Sequence, residues 1–185
     1  MKSWALLLAG LTLSGCTAGY KTDSFAPPSQ NFDRAASVYI AVPEDGHYAD
    51  TAYPGSGRQT ALAMFQAVLM HSSRATVADV RQPHDINLEK AKALAAVYLF
   101  EATIINWEDR ATEWSGLPDR LTLRIVAYDV ASGRELTSSV LTSHSSWWTL
   151  GGDHPQDLLP ETVKPFFDSV YGTVSPAASR SAERR

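Results

Sequence analysis

The chain has 185 residues, 44% of them apolar, 10% aromatic and 19% charged, a composition that excludes disorder throughout and fits one globular domain. Against 20 Asp and Glu there are only 16 Lys and Arg, and the net charge of -4 excludes nucleic acid as the main partner, because phosphate binding needs a basic face. The single cysteine excludes an intrachain disulfide and any zinc site built on paired thiolates. At the amino terminus Met1 and Lys2 precede an apolar run over residues 4–13 (WALLLAGLTL). The run is far shorter than the roughly 20 residues of a membrane-spanning helix and reads as an export signal.

The signal leads into Leu13-Ser14-Gly15-Cys16, which resembles the lipobox of bacterial lipoproteins. That resemblance implies removal of residues 1–15, a diacylglycerol on the Cys16 thiol and an acyl group on the new amino terminus. Acyl chains contribute about 0.8 kcal/mol per buried methylene, so several on one residue anchor a protein almost irreversibly. The residue after Cys16 is Thr17 rather than Asp. By the same resemblance this implies an outer-membrane lipoprotein facing the periplasm.

Residues 16–35 show scattered polar side chains, a Pro27-Pro28 pair and no apolar period, and are expected to be a flexible tether. Residues 37–42 (SVYIAV), β-branched and aromatic and stopped by Pro43, predict a first strand. After a long polar loop, Ser56 is placed to cap a helix over residues 57–71, whose Ala61, Met64, Phe65, Val68 and Leu69 recur at helical spacing. Residues 76–80 predict a second strand, and Asn87 is placed to cap a second helix through Leu94. Residues 96–107 predict a central strand whose far end leaves the sheet. Residues 120–130 and 135–147 predict a hairpin, and the Ser- and Thr-rich second arm suits an edge. Residues 155–171 predict a last helix, interrupted or kinked at Pro160 and Pro165, before a disordered basic tail over residues 174–185. The order strand, helix, strand, helix, three strands, helix gives an α/β fold. It is expected to be a two-layer or three-layer sandwich with a mixed five-stranded sheet and three helices, occupying residues 36–173 as a single domain.

Together with the lipobox, the stretches WEDRATEWSG (107–116) and WWTLGGD (147–153), the latter followed by Pro155-Gln156-Asp157-Leu158-Leu159, make the chain resemble a family of uncharacterised proteobacterial lipoproteins, domain of unknown function 4823. More loosely, the element order is similar to that of the amino-terminal domain of the Tol-system β-propeller protein. It is also similar to that of lipoproteins that activate penicillin-binding proteins or build the curli secretion pore. These resemblances imply a binding or assembly part and lend no catalytic residue.

The candidate partner-binding residues are Trp107, Arg110, Trp114, Trp147 and Trp148. Adjacent strand residues face opposite ways, so one of Trp147 and Trp148 is turned inward and the other is outward or covered by the preceding loop. An outward indole supplies contact area at low entropic cost. The group Glu108, Asp109, Arg110, Glu113 and Asp119 surrounds one connection. Paired carboxylates there would serve a cell-wall or glycan-directed hydrolase through Glu108 and Glu113, whereas a solvated connection needs no chemistry. The sequence offers no catalytic constellation beyond this one. Its five histidines lack ligand spacing, the acidic group lacks a calcium-loop pattern, and Gly55-Ser56-Gly57-Arg58 lacks the lysine of a nucleotide loop. Neither metal nor cofactor is expected. The expected partners are the membrane, through lipidated Cys16, and an envelope protein or peptidoglycan.

Overall fold

Two crossovers build the parallel half of the sheet. In this computed structural model, which describes residues 19–72, 74–110, 118–145 and 154–172, β2 (Val38–Ile40) feeds α1 (Ser56–Leu69), β5 (Ala75–Val77), α2 (His84–Ala93) and β6 (Tyr98–Glu108). β2 lies between β5 and β6 and pairs in parallel with both. The chain therefore steps outward from β2 to β5 and then back across it to β6. Right-handed crossovers in opposite directions place α1 and α2 on opposite faces. β6 shows both faces: the Phe100 ring meets Phe166 at 6.1 Å and Phe167 at 5.0 Å on the last helix, while its neighbour Glu101 accepts a hydrogen bond from Asn87 of α2.

The other half is antiparallel. β7 (Arg120–Asp129) and β8 (Glu135–His144) extend the sheet from β6, and α3 (Pro155–Tyr171) returns to pack beside α1. Each long strand has a buried side, and the core formed by Ile40, Phe100, Leu121, Leu123, Ile125, Val163, Phe166 and Phe167 explains why their pattern was legible. α3 runs continuously through Pro160 and Pro165, with Pro155 in its first turn. The interruption expected as one of two outcomes is therefore absent, and the helix includes both prolines without their N–H donors. Within the 44–56 segment, β3 (His47–Tyr48) and β4 (Thr51–Ala52) form a small hairpin.

The amino-terminal segment corrects the expectation of a free tether and a five-stranded sheet. Residues Gly19–Ala26 form β1, which pairs with β8 from Gly19 opposite His144 to Ala26 opposite Ser138. The described sheet has six strands in the order β1-β8-β7-β6-β2-β5. β1 is held by backbone hydrogen bonds rather than burial, with Lys21, Thr22, Asp23 and Phe25 exposed, so no apolar period announces it. β8 is consequently not an edge. Its small polar side chains bond inside the fold, as where Thr162 donates to Ser143 Oγ at 2.7 Å. Phe32, also within the expected tether, stacks on Tyr98 at 4.3 Å and its N–H donates to Val170 O.

The far end of β6 also differs from expectation, staying in the sheet to Glu108, opposite Arg120. It does so through a bulge between Ile104 and Asn106. One extra residue reverses the alternation, so Phe100, Ala102 and Ile104 share a face with Trp107 instead of Asn106.

Candidate functional site

The bulge decides the fate of Trp107, which is only 1% exposed and is core. Its ring lies 6.4 Å from that of Tyr53, and Gly46 approaches so closely that an added Cβ would stand 2.7 Å from Trp107 Cβ. Trp107 is thereby removed from the partner-binding candidates. Arg110 remains near the surface, its guanidinium 5.9 Å from the Tyr48 ring centre and its Nη2 donating to Glu108 Oε2 at 2.6 Å. Cys16, Glu113, Trp114, Trp147, Trp148 and the 174–185 tail lie outside the described residues.

Where β6 ends, its polar connection is drawn into a knot. The Arg110 N–H donates to Asp119 Oδ1 at 2.6 Å, the Asp119 N–H donates to Ser145 Oγ at 2.9 Å, and the Ser145 N–H donates to Asp119 O at 3.0 Å. His154 Nδ1 lies 3.1 Å from Asp109 Oδ1, and the Tyr53 hydroxyl donates to Asp109 O at 3.4 Å. The network ties the connections after β6 and β8 to the start of α3, where His154 and Asp157 form a capping box. Donor atoms of Asp109, Asp119 and His154 all lie within 4.8 Å of one another. This oxygen and imidazole set suits a divalent cation in type. The spacing rules that spoke against a metal could not reveal it, because Asp109 and Asp119 stand at the two ends of one long connection and His154 comes from another.

The electrostatics divide the carboxylates. Burial opposes the charge of Glu108, but hydrogen bonds from Asn106 and Arg110 and the nearby guanidiniums hold it below its ordinary value. Burial raises Asp119, at 6% exposure, more than the Arg110 N–H lowers it, and the charge of Asp109 adds to the rise. The hydrogen bond to Asp109 lifts His154 above its ordinary value against a smaller opposing effect of burial. Glu108 is thus an ionised anchor for Arg110, and Asp119 is an enclosed fastening between two loops.

The glycine-rich start of α1 is closed by the chain itself. Asp45, ten residues before Gly55, accepts from the Gly57 N–H at 2.8 Å and the Gly55 N–H at 3.1 Å. Ser56 is not the cap: its hydroxyl donates to Tyr53 O at 2.7 Å and accepts from Gly46 N–H. Nor does Asn87 cap α2, which begins at His84 with Asn87 buried in its first turn. Three of the five histidines that sequence spacing left isolated meet an acid in space: His71 with Asp168, His84 with Glu101, and His154 with Asp109.

Two crystal forms of the PelC dodecamer from Paraburkholderia phytofirmans, one of a point variant, share this fold. The variant superposes with a TM-score of 0.63 at 12% identity over 84% of this chain and 99% of that one. The other gives 0.61 at 14% over 86% and 100%. The lipoprotein GNA1162 from Neisseria meningitidis is a more distant likeness, with a TM-score of 0.47 at 12% identity over 75% of this chain and 99% of that one. No curated protein sequence matches the chain. Among the described residues no helix is long and apolar enough to cross a membrane. The sequence profile of domain of unknown function 4823 matches residues 30–170, from just before Phe32 to α3, and the chain belongs to that family.

Proposed function

We propose that this chain is an outer-membrane lipoprotein, acylated at Cys16, whose periplasmic domain is a non-catalytic binding or assembly module for an envelope protein or for peptidoglycan. The observation that carries the reading is the juxtaposition of the lipobox-like Leu13-Ser14-Gly15-Cys16 with a folded strand: only Thr17 and Ala18 separate Cys16 from β1. An anchor so placed holds the sheet itself against the bilayer. The fold shared with PelC, solved as a dodecamer, makes further copies of the chain the first partner to test. In the competing hydrolase reading Glu108, held ionised, serves only as the base or nucleophile, and the acid has to come from another carboxyl group of the cluster.

Labelled palmitate is expected to enter the unaltered protein and not Cys16→Ser, which is expected to leave the membrane fraction. Crosslinking from the domain in intact cells is expected to capture a second copy or another envelope component. Complementation of a deletion strain separates the two readings. Glu108→Gln with Glu113→Gln is expected to preserve function, whereas Trp148→Ala is expected to impair it. Unchanged membrane attachment of Cys16→Ser would overturn the anchor. Loss of function confined to the carboxylate variants would replace the binding module with an enzyme.

A further inference from the structure

Asp109 follows β6, Asp119 precedes β7 and His154 precedes α3, so three side chains converge where one end of the sheet meets the last helix. Each is placed by bonds of its own backbone. The Asp119 N–H donates to Ser145 Oγ at 2.9 Å, the carbonyl of Asp109 accepts from the Tyr53 hydroxyl at 3.4 Å, and the His154 N–H donates to Asp157 Oδ2 at 3.1 Å. A cation bound by the three side chains would break none of these bonds.

Asp119 is the member that points to a ligand. It is 6% exposed, and its Oδ1 is held by the Arg110 N–H at 2.6 Å. Its Oδ2 accepts no hydrogen bond, and its carboxylate joins no ion pair, among the described residues. The Arg110 guanidinium donates to Glu108 Oε2 instead. An enclosed carboxylate oxygen without a donor is costly, and a second carboxylate, that of Asp109, offers an oxygen within 4.8 Å of it. Two like charges thus share one gap with a single imidazole beside them. The pairing of His154 with Asp109 leaves the Asp119 oxygen unanswered, whereas a divalent cation answers both carboxylates at once.

We propose that Asp109, Asp119 and His154 bind a divalent transition-metal ion of the zinc type, which clasps both ends of the connection between β6 and β7 to the start of α3. Metal–ligand bonds of about 2.1 Å set neighbouring ligand atoms about 3.0–3.4 Å apart. His154 Nδ1 and Asp109 Oδ1 already stand 3.1 Å apart, and no separation in the set exceeds 4.8 Å. Side-chain movement of about 1.5 Å closes the remainder, the difference between that separation and a coordinated pair. The ion replaces the proton held between His154 Nδ1 and Asp109 Oδ1, which leaves to solvent, and water fills its remaining positions. The imidazole favours zinc-type ions over calcium, whose ligands are oxygens.

The test is calorimetric titration of the full chain with zinc, the Cys16 thiol being alkylated wherever acylation has not already blocked it. One zinc per chain is expected to bind with a Kd of roughly 100 μM or tighter, and calcium at least about tenfold more weakly. Asp109→Asn is expected to lose at least about tenfold in zinc affinity. Saturating zinc is expected to raise the urea midpoint of the unaltered protein and not that of this variant. NMR of the unaltered protein keeps the test decisive if Asp109→Asn does not fold: zinc is expected to shift the His154 ring at lower concentration than the His47 and His84 rings. No saturable zinc binding, calcium binding as tight as zinc, undiminished affinity in folded Asp109→Asn, an unmoved urea midpoint, or an earlier shift at His47 or His84 overturns the proposal.

Discussion

His71 shows how far a single side chain is set by its surroundings. It is enclosed against Tyr171, whose ring stacks on it at 5.2 Å, with Nε2 3.0 Å from Asp168 Oδ1 and Nδ1 3.4 Å from Arg34 Nη1. A guanidinium only donates, so Nδ1 accepts and the single proton of a neutral ring sits on Nε2 toward Asp168. Burial holds the imidazole below its ordinary 6.5 although Asp168 favours the charge, and the positive charges of Arg34 and Lys164 also disfavour it. A value depressed by folding means that the stability it reports is present above pH 6.5 and is lost as pH falls through the folded value. His154, raised by Asp109, acts in the reverse sense: its contribution is present below 6.5 and lost as pH rises. The prediction is therefore a comparison of slopes. The urea midpoint of the unaltered protein is expected to fall more steeply with acidification than that of His71→Gln, and equal slopes would remove His71 from the account. None of this was legible in the sequence, where 97 residues separate His71 from Asp168.

Elements were legible where burial is periodic and illegible where the chain is held by backbone or by distant partners. α1, α3, β2 and the β6 to β8 strands each carry an apolar stripe that packs into one core, and that stripe is visible in the sequence. β1 carries none, the β6 bulge leaves no signature in residue type, and Asp45 closes α1 from a loop whose path no local rule supplies. The start of α1 offers a sharp test because propensity and packing disagree there in sign. An alanine in place of a helical glycine is worth about 1 kcal/mol of stability when nothing else changes. At Gly57 the added Cβ would stand 2.3 Å from Pro43 O, a backbone atom of the segment that also holds Asp45 in place. Gly57→Ala is thus expected to destabilise by about 1–3 kcal/mol in urea unfolding, the range for overpacking a closed site. A stabilised variant would mean that the segment after β2 is not pinned where it is described.

At the scale of the whole molecule, the early start of β1 would turn the proposed anchor at Cys16 into an orientation. Three Cα steps from Cys16 to Gly19 span at most about 11 Å. With acyl chains on Cys16, the Gly19 end of β1 is therefore confined to the neighbourhood of the headgroups. Gly19 is opposite His144, His144 is opposite Arg120, and Arg120 is opposite Glu108, so the whole of that sheet end shares the confinement. The opposite end is the turn between β7 and β8, and the nine steps of β8 from His144 to Glu135 carry it roughly 30 Å away. A thiol-reactive fluorophore placed by His144→Cys, with Cys16 itself blocked by acylation, is expected to be quenched by lipids bearing a paramagnetic headgroup. One placed by Ser132→Cys is expected to be quenched little, since both positions are exposed and differ chiefly in height above the bilayer. Inserting about a dozen Gly and Ser residues after Ala18 supplies slack of about 20 Å and is expected to abolish the contrast. Equal quenching of the two labels in the acylated protein before any insertion would mean that β1 does not hold the domain to its anchor.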